Sequence, residues 1–247
     1  MKIPALVGHR GYPRHYPENT LAGFAAAIRA GAKYVETDVQ LAADEVPVLF
    51  HDRTLARVCG ASGAIHDYSA EQLKQFPARE FERFGYKFAH EPIPTLAQFV
   101  AWLAAHPQTT AFVEIKRLAV ERFGPATVLS HVLRDLKPVR EQCVLISYSL
   151  ETLRHARHQG WPRVGAIIDR WRERSQPVIR ELHPEYLFCD VNGLPRFGPL
   201  VVRGAEVAVF EVTDAALALR LARRGVQLIE TFAIGELRRE LELLAAQ

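Results

Sequence analysis

The chain has 247 residues, 49% hydrophobic and 24% charged, a length that one α/β barrel commonly fills and a composition that excludes disorder and collagen-like repeats. Its 31 basic against 28 acidic residues leave a formal charge of +3, too small a surplus to imply a nucleic-acid footprint. No run approaches ~18 uninterrupted apolar residues, so no transmembrane helix is expected. The N-terminus shows no apolar stretch followed by a cleavage site, and the expectation is a cytoplasmic protein with no membrane anchor. Cys59, Cys143 and Cys189 are dispersed and form no CxxC pair. That fits a reducing compartment, with Cys143 and Cys189 as small buried strand residues.

Short apolar runs of β type alternate with helical patterns. The first run, 5–9, leads into His9-Arg10-Gly11. Asn19 is a candidate N-cap for a helix over 20–30, in which Leu21, Phe24, Ala25 and Ile28 share a face and after which Gly31 is a stop. The strand at 34–39 carries Glu36-Thr37-Asp38. From 41 to 94 the alternation breaks: a short strand at 46–50 precedes a turn-rich region with Cys59-Gly60-Ala61-Ser62-Gly63 and Pro92-Ile93-Pro94. The pattern then predicts helices over 95–105, 120–136, 150–159, 170–182, 196–203 (the weakest), 214–224 and 234–245. Between them lie strands at 111–115, 143–147, 164–168, 186–189, 206–210 and 226–229. Continuously apolar strands are those of a parallel sheet covered on both faces. Eight strands alternating with eight helices point to an α/β chain folded as a (β/α)8 TIM barrel, closed so that no edge remains. The open doubly wound alternative calls for GxGxxG after the first strand, which is absent. We expect one domain over 1–247, with 41–94 as an insertion after the second strand, at the barrel mouth, because a connection that long is usually functional.

Reactive groups of such barrels collect at the C-terminal strand ends. Strand alternation places Glu36 and Asp38 on one face, and likewise Glu114 and Lys116. Three oxygen ligands from neighbouring strands, Glu36, Asp38 and Glu114, suit Mg²⁺ or Ca²⁺, with Mn²⁺ a third candidate. No Cys or His pair at zinc-ligand spacing accompanies them. If Leu41 pairs with Val46 across the 42–45 turn, Asp38 lies opposite Leu49 and Glu36 opposite His51, so the chain returns His51 to the carboxylates. His9 arrives from the first strand. Two imidazoles beside such a cluster make an acid/base pair, while Arg10 and Lys116 add fixed positive charge suited to a phosphodiester. Each group alone is commonplace, a strand-end histidine as a structural hydrogen-bonder or an ExD as an ion-pair partner. Their joint occurrence in order, with Pro17-Glu18-Asn19-Thr20 and His51-Asp52, is what carries weight.

The stretches HRGYPRHYPENTLAGFAAAIRAGAKYVETDVQLAADEVPVLFHDRTLARVCGASG and FVEIK strongly resemble the glycerophosphodiester phosphodiesterase family. The match is dense over 7–63, punctuated to about 116 and faint thereafter. The resemblance implies a TIM barrel with an insertion after the second strand and hydrolysis of a small-molecule glycerophosphodiester to glycerol 3-phosphate and an alcohol with one divalent cation. By matched position it implies Glu36, Asp38 and Glu114 as metal ligands, His9 and His51 as the catalytic pair, and Arg10 and Lys116 as phosphate-holding groups. Glu18 and Asn19 fall in the family's PENT segment near the site, Asn19 remaining open between that role and the N-cap. The C-terminal half departs from the family. Phe210-Glu211-Val212-Thr213 stands where Trp-Thr-Val-Asn is frequent, and Ile229-Glu230-Thr231-Phe232 where Ile-Ile-Thr-Asp is. Phe210 is open between an apolar wall against the glycerol carbons and a core aromatic. Glu211 and Glu230 would put negative charge at the mouth and favour a cationic alcohol such as choline. His9 is expected as base and His51 as leaving-group acid, the nucleophile being water or the substrate's own 2-hydroxyl. A lysophospholipase D acting on a longer lipid is the alternative. It calls for an apolar rim, for which the insertion offers Phe76, Phe81, Phe84, Tyr86 and Phe88 interleaved with Arg79, Arg83 and Lys87. A non-catalytic phosphoester-binding barrel is the third reading, and the oligomeric state is left open.

Overall fold

The computed structural model describes residues 3–246. Nine strands form: β1 (Ala5–Gly8), β2 (Tyr34–Leu41), β3 (Pro47–Leu49), β4 (Thr110–Ile115), β5 (Cys143–Ser147), β6 (Val164–Ile168), β7 (Tyr186–Asp190), β8 (Glu206–Phe210) and β9 (Leu228–Thr231). Eight of them close a ring of parallel neighbours, β1-β2-β4-β5-β6-β7-β8-β9, with β9 returning to β1. β3 stands outside the ring, antiparallel to β2. Helices cover the outside of the ring after the barrel strands, except after β7, where only a 3₁₀ turn, Val191–Gly193, precedes β8.

Alternation along the strands sorts the side chains. Ala111, Val113, Cys143, Leu145, Leu187 and Cys189 pack outward in the large core shared with the helices. Phe112, Val144, Ile146, Phe188 and Leu228 form a separate core on the opposite parity, inside the ring. Phe112 is its hub, with ring centroids 5.0 Å from Tyr186 and 4.9 Å from Phe188. Glu36 and Glu114 continue the inward parity of Tyr34 and Phe112, so the charged groups sit on top of this apolar plug. All three cysteines are buried and free. No helix among the described residues is long and apolar enough to cross a membrane.

Several local expectations are corrected. Thr20, not Asn19, caps the helix Leu21–Arg29, its hydroxyl accepting from the Gly23 N–H. The β2–β3 hairpin pairs Leu41 with Pro47 and Val39 with Leu49, one residue off the expected register. Glu45 takes a left-handed φ of 60° in the turn and adds the residue that shifts it. No helix forms at 196–203: Pro195 and Pro199 lack N–H groups and Gly198 has φ 93°. The helix expected over 120–136 is two, Arg117–Phe123 and Pro125–Leu136, broken at Gly124-Pro125. That over 170–182 is a 3₁₀ turn, Trp171–Ser175, followed by Pro177–Leu182, for the same reason. Between β3 and the helix Leu96–Ala104, three short helices and a 3₁₀ turn enclose a small core of their own, including Val48, Phe50, Leu55, Ile65 and Leu73.

Candidate active site

The turn after β1 delivers the first two groups. A Cβ on Gly8 would meet the Gly11 carbonyl oxygen at 2.7 Å, so glycine permits the tight reversal in which Arg10 adopts φ 53°. The His9 N–H donates to the Thr231 carbonyl (3.1 Å). The His9 imidazole, in a residue only 6% exposed, stacks on Phe232 at 4.7 Å. Its Nδ1 lies 2.6 Å from Glu211 Oε1, and its Nε2 3.6 Å from Glu36 Oε2. Burial and the neighbouring Arg10 charge hold His9 below the usual imidazole range, outweighing Glu211. The Arg10 backbone N–H donates to Glu36 Oε2 (3.1 Å), while its guanidinium lies 3.1 Å from Asp38 Oδ2 and 3.4 Å from Glu18 Oε1.

The register of β2 on β4 sets Asp38 beside Glu114. Lys116 Nζ bridges them, 3.1 Å from Asp38 Oδ1 and 3.0 Å from Glu114 Oε1. Asn19, itself at φ 55°, donates to Asp38 Oδ2 (2.8 Å) and accepts from the Asp38 N–H and the Thr37 hydroxyl, so it orients Asp38. One oxygen from each of Glu36, Asp38 and Glu114 lies within 4.8 Å of the others. Burial, then Asp38, Glu230 and Glu114, push Glu36 well above the carboxylate range. Burial raises Glu114 as well, against the pull of Lys116. Asp38 is held far below the range, because Lys116 and Arg10 overcome its burial. Glu36 Oε1 is buried without a hydrogen-bond partner. A buried carboxylate oxygen with nothing to accept from is costly. Three convergent oxygen donors with such an unused lone pair fit a hard divalent cation.

His51 reaches the cluster by the β3 return. Gln40 Nε2 donates to three successive carbonyls, Phe50 (2.9 Å), His51 (3.1 Å) and Asp52 (2.7 Å), and so pins the chain just past β3. His51 Nδ1 lies 2.8 Å from Asp52 Oδ1. Arg57 holds Asp52 through Nε (2.7 Å) and Nη2 (2.9 Å) and Glu18 through Nη1 (2.9 Å) and Nη2 (2.6 Å).

The expected residues His9, Arg10, Glu36, His51, Glu114, Lys116 and Phe210 line one cavity of about 330 Å³, joined by Tyr148, Asp190, Glu211 and Glu230. Glu18, buried, lies behind Arg10 and Arg57. Glu211, partly exposed at the cavity, contacts His9, whereas Glu230 is not at the mouth but 3% exposed inside the cluster, its Oε1 unpartnered among the described residues. Sequence reasoning missed Gln40, Arg57 and Tyr148. The aromatic insertion is mostly packed. Phe76 meets Tyr68, Phe84 meets Phe88 and Tyr16 meets Phe88, leaving Phe81 and Tyr86 exposed.

Residues 9–163 match the model of the glycerophosphoryl diester phosphodiesterase family. A glycerophosphodiester phosphodiesterase of Caldanaerobacter subterraneus is 30% identical over 206 residues, 78% of this chain and 83% of that one. Glycerophosphodiester phosphodiesterase 1 of Rattus norvegicus is 37% identical over 215 residues, 86% of this chain but 58% of its own length. Against that mammalian relative the match spans little more than half. The fold is shared with an Oleispira antarctica phosphodiesterase solved with its product sn-glycerol-3-phosphate (TM-score 0.81, 24% identity, 97% of each chain). It is shared too with a glycerophosphodiester phosphodiesterase from Agrobacterium tumefaciens (TM-score 0.76, 24% identity, 96% of this chain and 100% of that one). The match across the strand ends that bear His9, Glu36, Asp38, His51 and Glu114 establishes that this chain belongs to the glycerophosphoryl diester phosphodiesterase family.

Proposed function

We propose that this enzyme hydrolyses small glycerophosphodiesters to glycerol 3-phosphate and an alcohol, with one divalent cation and a histidine acid/base pair. The observation that carries the reading is the convergence of Glu36, Asp38 and Glu114, ligand atoms within 4.8 Å of one another, in a cavity also lined by two carboxylate-backed imidazoles. Glu36, Asp38 and Glu114 would hold Mg²⁺, Ca²⁺ or Mn²⁺, which when bound supplies Lewis-acid stabilisation of phosphate charge. Arg10 and Lys116 hold the phosphate oxygens and offset the charge that builds on them. His9 accepts the proton of the attacking oxygen, whether water or the substrate's 2-hydroxyl. Its buried, depressed imidazole is neutral, as a base must be, and Glu211 fixes Nδ1 so that Nε2 faces the cavity. As the phosphorus–alkoxide bond breaks, His51 protonates the leaving oxygen, and Asp52 steadies the ring. Phe210 is assigned to the wall against the glycerol carbons. We also assign the whole chain to one catalytic domain, with 41–94 an insertion beside the mouth. Its delivery of His51, Asp52 and Arg57 supports this.

His9→Ala and His51→Ala should each lower turnover of glycerophosphoglycerol about 10²- to 10⁴-fold without unfolding the chain, and EDTA should abolish turnover reversibly. Activity within about tenfold of the parent in either variant would remove that histidine from proton transfer.

A further inference from the structure

The cavity that holds the cluster is not the largest at this end of the barrel. The loops after β6 and β7 flank an open cleft of about 860 Å³, lined by Asp169, Arg170, Trp171, Arg172 and Arg174 from one loop and by Asp190 and residues 192–195 and 197–199 from the other. That is ample for a small ligand. Asp190 lines both spaces, so they adjoin at that residue. The cleft has a fixed frame. A Cβ on Gly193 would lie 1.7 Å from the Asp169 carbonyl oxygen, so glycine is what lets the two loops touch. The Asp169 N–H donates to Glu173 Oε2 (3.2 Å). Asp190 Oδ1 accepts from the Asn192 N–H (2.7 Å). Arg174 lies over the buried Trp171 ring at 4.8 Å and donates to its carbonyl (2.9 Å).

Two charged groups take no part in that frame. Arg170 and Arg172 are exposed on the lip, and neither guanidinium has a hydrogen-bond or ion-pair partner among the described residues. On the other side Phe197 is 75% exposed, with the Arg196 guanidinium 5.2 Å from its ring centroid, so that wall too carries a cation. The carboxylates therefore occupy the inner end, already engaged, and the free cations the outer end.

We propose that this cleft is the subsite for the alcohol half of the diester and that it selects an alcohol carrying a second anionic group, paired with Arg170 and Arg172. The inference rests on the diesterase reading above and names its preferred substrate class. Guanidinium forks match phosphate oxygens, whereas a cationic alcohol such as choline would meet two unpaired positive charges. The second anion could be a terminal phosphomonoester or the next link of a polyol phosphate chain. Both present the same oxyanion.

The test compares four diesters at low salt: glycerophosphocholine, glycerophosphoglycerol, glycerophosphoglycerol bearing a terminal phosphate, and glycerophosphoglycerophosphoglycerol. The parent enzyme should favour the last two over glycerophosphoglycerol by about fivefold to tenfold in kcat/KM, the scale of two exposed ion pairs, and salt should erode the preference. A stronger preference for the third names the monoester source, and for the fourth the chain. The double variant Arg170→Ala/Arg172→Ala should lose the preference while handling glycerophosphoglycerol within about twofold of the parent. Calorimetric binding to Ca²⁺-loaded His51→Ala protein, with and without the two arginines, reads the same preference without turnover. Equal affinity for neutral and anionic diesters with the arginines present, or a preference that survives their removal, overturns the subsite whatever the turnover. Failure of the parent to hydrolyse any of the four overturns the diesterase reading instead.

Discussion

Arg57 commits its guanidinium to two carboxylates at once, Asp52 behind His51 and Glu18 behind Arg10. It therefore couples the His51 imidazole on the β3 side of the site to Arg10 on the β1 side. Glu18 is buried and held below the carboxylate range despite that burial, through Arg57 and Arg10; without Arg57 it keeps the longer contacts of 3.4 and 3.5 Å to Arg10. Arg57→Ala should lower kcat about tenfold or more, the scale at which losing a charged hydrogen-bond partner is felt, with KM changed far less. Arg57→Lys should recover only part, since an ammonium cannot fork onto both acids. A kcat within about twofold of the parent in Arg57→Ala would remove the coupling. Glu211 is the matching group for His9. It opposes the burial that depresses His9, so Glu211→Gln should depress His9 further and move the acidic limb of the kcat/KM–pH profile to lower pH. An unmoved or raised limb would show that the 2.6 Å contact has no hold on the base.

At the scale of the element, the strands do two jobs with one alternation. Inward residues of β2 and β4 begin as Tyr34 and Phe112, stacked at 5.9 Å, and end as Glu36 and Glu114. The apolar plug beneath is what keeps water away from those carboxylates, and so what raises them. Phe112→Ala should cost about 3–5 kcal/mol of stability. Denaturant unfolding of the metal-free protein would register this, and a loss below about 1 kcal/mol would mean that the plug collapses to fill the gap. This alternation is also why so much was legible in the sequence. A strand covered on both faces must be apolar along its length, so an ExD or ExK within one stands out, and the strands that bring Glu36, Asp38 and Glu114 together were legible in the sequence. His51 was legible because the hairpin is short, although its register was not: nothing in the residue type at Glu45 announces a left-handed turn. Glu211, Glu230 and Arg57 carry no local pattern, since each matters only through a partner distant in sequence or across the site. The helix expected at 196–203 is excluded by backbone chemistry, with Pro195, Gly198 and Pro199 within five residues.

Across the whole molecule, the closed ring concentrates charge that no single element would tolerate. Glu36, Asp38, Glu114 and Glu230 all lie buried at one end, with Arg10 and Lys116 as the cations among them, and the imbalance shows in the opposed shifts of these acids. Glu36 and Glu230 are pushed well above their ordinary 4.5, each by burial first and then by neighbouring carboxylates. A group raised in the folded state binds its proton more tightly there than in the unfolded chain, so its stabilising contribution is complete below about pH 4.5 and is lost as pH rises through the folded value. Asp38 has the opposite sign, stabilising above its ordinary 3.8 and failing only in stronger acid. The metal-free protein should therefore lose stability as pH rises above about 4.5, as Glu36 and Glu230 are made to ionise beside other buried carboxylates. A divalent cation reverses this, because its ligands must be deprotonated and the cation then competes with protons for them. At a hundredfold excess over Kd, the cation should stabilise by about 2.7 kcal/mol, a Tm rise of about 5–10 °C for a chain this long. At one fixed cation concentration the rise should be larger at pH 8 than at pH 5, because proton competition weakens Kd at the lower pH. Thermal unfolding with EDTA, Mg²⁺ and Ca²⁺ at the two pH values measures it. A rise of equal size at both would mean that the ligands carry their charge before the cation arrives, and the buried carboxylates would then have to be neutralised by Arg10 and Lys116 alone.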